Sequence, residues 1–70
     1  MIEYIAGSGS RITQRALKDT RFPANAIVGA VLRNGRLHIP NGEMQIAAGD
    51  RVVVFTMADS IQDLDRLFGK

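Results

Sequence analysis

The 70 residues predict an α+β fold, a small β-α-β-β-β-α domain with a mainly antiparallel sheet. Two observations carry that expectation. Between residues 26 and 56, apolar runs are interrupted by Arg33-Asn34-Gly35-Arg36, by Pro40-Asn41-Gly42 and by Gly49-Asp50. Apolar runs broken by such turn sequences read as strands joined through tight turns. On either side of them, residues 11–18 and 61–68 sort onto an apolar and a polar face at the helical period of about 100° per residue. A chain of this length makes one domain, spanning residues 1–70.

In chain order, residues 2–6 read as a short strand and Gly7-Ser8-Gly9-Ser10 as a turn. Ser10 suits a helix N-cap, where its hydroxyl accepts from a free N–H of the first turn. In the following helix of about two turns, Ile12, Thr13, Ala16 and Leu17 lie opposite Arg11, Gln14, Arg15 and Lys18. Pro23 ends that segment. Residues 26–32 are apolar on both alternating faces, which predicts a strand covered on both sides, with a second subunit as the outer cover. Ile27, Val28 and Val31 are therefore the candidate dimer-interface residues. Gly29 within the strand points to a bulge or a close backbone approach. Asn34-Gly35 fits a type I′ turn. Leu37 and Ile39 then face one way and Arg36 and His38 the other, until Pro40 stops pairing or confines it to an edge. Residues 44–46 are a candidate short strand, and Arg51–Thr56 a further one with residues 52–55 mostly buried. The last element is a helix capped by Asp59 or Ser60, with Gln62 placed for a capping box. Its stripe is Ile61, Leu64, Leu67 and Phe68, and Gly69 ends it.

Composition removes several functional classes. Nine Lys and Arg are scattered among seven Asp and Glu, for a net charge of +2. No aromatic residues interleave with the basic ones as on a base-stacking surface, so nucleic acid is not an expected partner. No apolar run approaches the roughly 20 residues that span a bilayer, and the first residues lack a signal-peptide pattern. With no cysteine there is neither a disulfide nor a thiolate metal site. A core this small supplies only about 3–5 kcal/mol unless something staples it. Oligomerisation or attachment to a larger protein is the remaining staple.

No catalytic constellation is legible, and no enzymatic activity is expected. Gly7-Ser8-Gly9 opens like a dinucleotide fingerprint, but Ile12 stands where the third glycine belongs, and a plain loop is the better reading. The serines and threonines lack a base partner and a nucleophile elbow. His38, the only histidine, has no partners at metal-ligand spacing. Asp50 beside Gly49 reads as an acceptor for turn N–H groups. The densest polar cluster is Arg33, Asn34, Arg36 and His38. It reads either as solvation of a hairpin tip or as a ligand site for an anion or nucleotide at a subunit boundary, where guanidinium forks match phosphate oxygens.

The segments AIVGAVLRNG, a short strand ending at IPNG, AAGDRVVVF and SIQDLDRLF together resemble the TrkA C-terminal domain (RCK_C) family, over nearly the whole chain. Within it, they resemble the terminal domain of Trk-type potassium-uptake regulators. The family pattern often has a glycine before the first helix's leucine region; here residues 11–17 read Arg-Ile-Thr-Gln-Arg-Ala-Leu without it. The resemblance implies an α+β fold that pairs into homodimers. It also implies a cytoplasmic regulatory domain held at the inner face of the membrane by a Trk-type potassium channel or transporter. Its parent would carry a Rossmann domain binding NAD(H) or ATP, which is not within these residues, so the chain is expected to be a fragment or isolated terminal domain. Some relatives bind cyclic di-AMP at the dimer interface, which carries over here only as a location, near residues 26–32 and the turn after them. Two other expectations stay open: a ligand-free structural dimerisation module, and the same domain attached to an anion permease or antiporter.

Overall fold

The computed structural model describes residues 1–69. Four strands, β1 (Ile2–Ile5), β2 (Ala26–Arg33), β3 (Arg36–His38) and β4 (Arg51–Thr56), form one sheet in the order β1-β4-β2-β3. Every neighbouring pair is antiparallel. A 3-10 turn, Ala58–Ser60, runs directly into α1 (Ile61–Phe68), the one α-helix among the described residues. The expected α+β architecture and antiparallel sheet are both present.

The β2–β3 hairpin follows from its two turn residues. Asn34 has φ 51° and Gly35 has φ 77°, and Arg33 pairs with Arg36 directly across the turn. Positive φ at both central positions is the requirement of a type I′ turn, whose twist matches that of the strands it joins. β3 ends at His38, two residues before Pro40, and forms one edge of the sheet.

Gly29 decides which side chains of β2 reach the core. Val28 pairs with Val54, and the next pair is Ala30 with Val53, so Gly29 is an extra residue that shifts the register by one. Such a bulge interrupts the strict inside–outside alternation. Ala26, Val28 and Val31 therefore face inward with Val52 and Val54. Ile27, Ala30 and Leu32 face outward with Val53 and Phe55. A Cβ on Gly29 would sit 2.9 Å from Cδ2 of Phe55 and closer still to its Cε2. The bulge residue is a glycine because the aromatic ring of the facing strand lies over it.

The core occupies one side of the sheet. Val31, Val52 and Val54 meet Ile12, Ile46, Leu64 and Phe68 there, with Tyr4, Leu17, Phe22, Val28 and Met44 packed around them. Tyr4 and Phe68 stack, ring centroids 4.6 Å apart and planes 9° from parallel. The Tyr4 hydroxyl donates to Asp65 Oδ1 at 2.8 Å. Burial first, then this bond and the Asp65 charge, push the phenol up to about 12. Leu64, Leu67 and Phe68 are buried as the stripe of α1 predicts.

Four local expectations are corrected. Residues 11–18 form two 3-10 turns, Arg11–Thr13 and Leu17–Asp19, in place of one α-helix. Backbone N–H groups that would continue a helix are taken elsewhere: Leu17 donates to the Met44 carbonyl at 2.8 Å and Lys18 to the Gly42 carbonyl at 2.9 Å. Between the two turns Ala16 is extended and makes an isolated bridge to Gln45, so residues 44–46 contribute a single bridge and no strand. Ser10 is no side-chain cap. Its carbonyl accepts from Thr13 N and from Thr13 Oγ1 at 2.7 Å, while its buried hydroxyl has no partner among the described residues. At α1 neither Asp59 nor Ser60 caps through its side chain, because the preceding 3-10 turn supplies Ile61 with backbone geometry already helical.

Candidate functional site

The outer face of the sheet is the feature the core does not use. Cross-strand pairing brings Ile27 opposite Phe55, Ala30 opposite Val53 and Leu32 opposite Leu37, all on the side away from the core. Ile27 is 69% exposed, Leu37 67% and Phe55 52%. At the β1 side of this face the apolar surface gives way to an ion pair, Arg51 Nη1 to Glu3 Oε1 at 3.2 Å. A contiguous apolar sheet face with a charged margin is the anatomy of a protein–protein contact.

Of the three interface residues expected from sequence, Ile27 lies on this face. Val28 pairs with the fully buried Val54, and Val31 is itself 0% exposed, so both belong to the chain's own core. The bulge at Gly29 is the physical reason for Val31, since without it the alternation sends Val31 outward beside Ile27. Phe55, Leu32 and Leu37 were not singled out. The signal for Phe55 was its period-2 spacing from Arg51 and Val53, masked by reading residues 52–55 as a buried run; the structure exposes Phe55 and leaves Val53 half-buried.

The polar cluster divides in a similar way. Arg33 is committed internally. Its Nε donates to Asp50 Oδ1 at 2.9 Å, and its Nη2 donates to Asp50 Oδ2 at 2.6 Å and to the Gln45 carbonyl at 3.1 Å. Asp50 is buried and also accepts the Ala47 N–H at 2.9 Å, as a turn aspartate should. The Arg33 hydrogen bonds outweigh burial and hold the Asp50 carboxyl below its ordinary value; Asp50 in turn holds Arg33 above its own. This clamp ties the end of β2 to the start of β4 and to residues 45–47. Asn34 and Arg36 are exposed at the hairpin tip. His38, half-buried, lines a shallow depression with Arg33, Asn41 and Glu43 on the core side of the sheet's edge. The four residues are thus near in sequence but split between a structural clamp, a solvated tip and an edge depression.

A covered and an open sheet face define the class, a small α+β module that offers one apolar sheet face outward. The TrkA-C domain family model matches residues 1–69, and this chain belongs to that family. It is 37% identical over 68 residues to the Trk system potassium uptake protein TrkA homolog 1 of Methanosarcina mazei, and 40% identical over 68 residues to TrkA of Azorhizobium caulinodans. In both cases 97% of this chain is aligned but only 15% of the relative, so the chain spans about a seventh of their length. The TrkA homolog of Archaeoglobus fulgidus is 33% identical over 69 residues, covering 99% of this chain and 16% of its own. Among solved structures, one described as "Structure of RCK domain with cda" superposes with a TM-score of 0.78 over 97% of this chain and 96% of that one. At 20% identity that likeness speaks for the fold. Among the described residues no helix is long and apolar enough to cross a membrane.

Proposed function

We propose that this chain is a regulatory and dimerisation domain of a Trk-type potassium-uptake regulator. Two copies pair through the outer sheet face and pass ligand or subunit state to a membrane potassium transporter. The role is non-catalytic and is exercised in the cytoplasm, at the membrane through that transporter. The observation that carries the reading is the apolar outer face of β2, β3 and β4, left open by a chain whose own core lies on the other side. The names of the relatives support potassium over an anion permease. A ligand shared by two subunits alters their orientation only to the extent that it binds one orientation better. Cyclic di-AMP is the candidate ligand of such a shared site; NAD(H) or ATP belongs to a Rossmann domain elsewhere in the parent protein.

Light scattering after size exclusion tests the pairing, with Ile27→Asp as the variant. A dimer that becomes a folded monomer in Ile27→Asp supports the assignment, and a monomeric parent chain overturns it. Thermal shift with cyclic di-AMP, ATP, NADH and potassium tests the sensing. Saturable stabilisation by cyclic di-AMP marks a sensor domain. The commitment of Arg33 to Asp50 favours the second reading, a ligand-free structural module, for which none of the four gives a shift.

A further inference from the structure

On the side of the molecule away from the open sheet face, the two 3-10 turns and α1 enclose a groove of about 510 Å³. That volume falls in the range of small-molecule sites. Four arginines line it, Arg11 and Arg15 from the first turn and its exit, Arg21 from the loop before Pro23, and Arg66 from α1. Arg66 is neutralised by Asp63, Nη1 to Oδ1 at 3.2 Å. The guanidinium groups of Arg11, Arg15 and Arg21 make no ion pair with any described residue, leaving Asp19 as the other carboxylate in the lining. Three cations without an ion-pair partner against one carboxylate leave a local excess of positive charge, whereas Arg33, Arg51 and Lys18 elsewhere are paired. Pro23 and Leu67 add apolar wall to the same groove.

We propose that this groove binds a small phosphorylated organic molecule, the guanidinium forks of Arg11, Arg15 and Arg21 taking the phosphoryl oxygens and Pro23 and Leu67 the carbon part. Guanidinium is the side chain best matched to phosphate, presenting parallel N–H donors to two oxygens while keeping its charge at every accessible pH. Like charges lining one groove cost free energy in the empty site, and an anion offsets that cost, so the arrangement favours a dianion over a neutral ligand. The apolar wall favours a phosphate ester over the bare ion. The site does not depend on pairing of the chain, because none of its residues lies on the outer sheet face.

The test is a titration of the 70-residue chain with phenyl phosphate at constant ionic strength, followed by NMR on backbone amides and arginine Nε–Hε groups. The expected result is saturable shifts at Arg11, Arg15, Arg21 and Arg66, competed by inorganic phosphate. A variant carrying Arg15→Gln and Arg21→Gln should bind at least about ten-fold more weakly, since two charge-assisted contacts to the phosphoryl oxygens are lost. Its fold is checked by circular dichroism, and Arg11→Gln replaces it if the fold is lost. Non-saturating shifts shared equally by Arg36 and Arg51 overturn the proposal. So do saturable shifts that inorganic phosphate cannot displace, or binding unaffected by the variants.

Discussion

Ile27 and Val31 stand four residues apart on the same strand, both β-branched and both apolar, yet one is 69% exposed and the other 0%. The two faces of this sheet are built from the same kinds of side chain. What separates them is cover. Ile12, Ile46, Leu64 and Phe68 close one face, while the other has only the Phe55 ring lying over Gly29. Hydrophobicity alone therefore does not say which face belongs to the monomer and which is offered outward. The register, reset by one residue at the bulge, does.

A charge placed on each face in turn tells the two apart most strongly. Val31→Asp puts an ion into a dry site at a cost of several kcal/mol, comparable to the roughly 3–5 kcal/mol a core of this size supplies. It should abolish cooperative unfolding. Ile27→Asp should leave the melting temperature of the monomer nearly unchanged, as exposed substitutions stay within about 0.5 kcal/mol. A folded Val31→Asp chain contradicts the assignment of faces.

The next effect belongs to the clamp beside the covered face. Asp50→Ala leaves Arg33 with only the Gln45 carbonyl and strips the Ala47 N–H of its acceptor. We expect a loss of roughly 2–3 kcal/mol in urea unfolding, less than the ~3–5 kcal/mol of a fully buried pair because Arg33 is partly solvated. The folded-state value of Asp50 is depressed, so its contribution is fully present above the ordinary carboxylate range near pH 4 and is lost as pH falls through the folded value. Stability measured from pH 7 down to pH 2 should fall less steeply in Asp50→Ala than in the parent. Equal slopes would place the acid sensitivity elsewhere.

Smaller effects sharpen the same picture. Gly35→Val forces a β-branched residue to φ 77° and should cost about 1–2 kcal/mol. An unchanged melting temperature would mean the turn relaxes without strain. Smallest is the titration of Tyr4, the chain's only tyrosine, which ultraviolet absorbance reads without interference. Its phenol should titrate near pH 12. Because the neutral form is favoured in the folded chain, the associated stability is present below about pH 10 and lost as pH rises through the folded value. Asp65→Asn should bring the midpoint part of the way down, burial accounting for the remainder.

The strands were legible because their determinants are local. Asn34-Gly35 asks for two positive φ values wherever it occurs, and Pro40 cannot donate to a ladder. The apolar stripe of α1 was equally plain. Residues 11–18 misled because periodicity records where side chains point and not which carbonyls their N–H groups meet. The competing acceptors at Gly42 and Met44 lie some 25 residues away in the chain. Arg33 misled for a related reason. Its neighbours in sequence suggested a ligand site, whereas its partner, Asp50, is 17 residues away. Gly29 was readable as a bulge or a close approach, but the consequence, which of Ala30 and Val31 turns inward, follows only once β4 is in place.

The contacts among Tyr4, Asp65 and Phe68 have a mechanical side. Besides the stacked rings and the hydroxyl bond, the Gly7 N–H donates to the Phe68 carbonyl at 3.0 Å. The first strand and the last helix are thus riveted to each other before either reaches the middle of the domain. A displacement of β1 is therefore felt by α1 through these contacts as well as by β4 through the strand ladder.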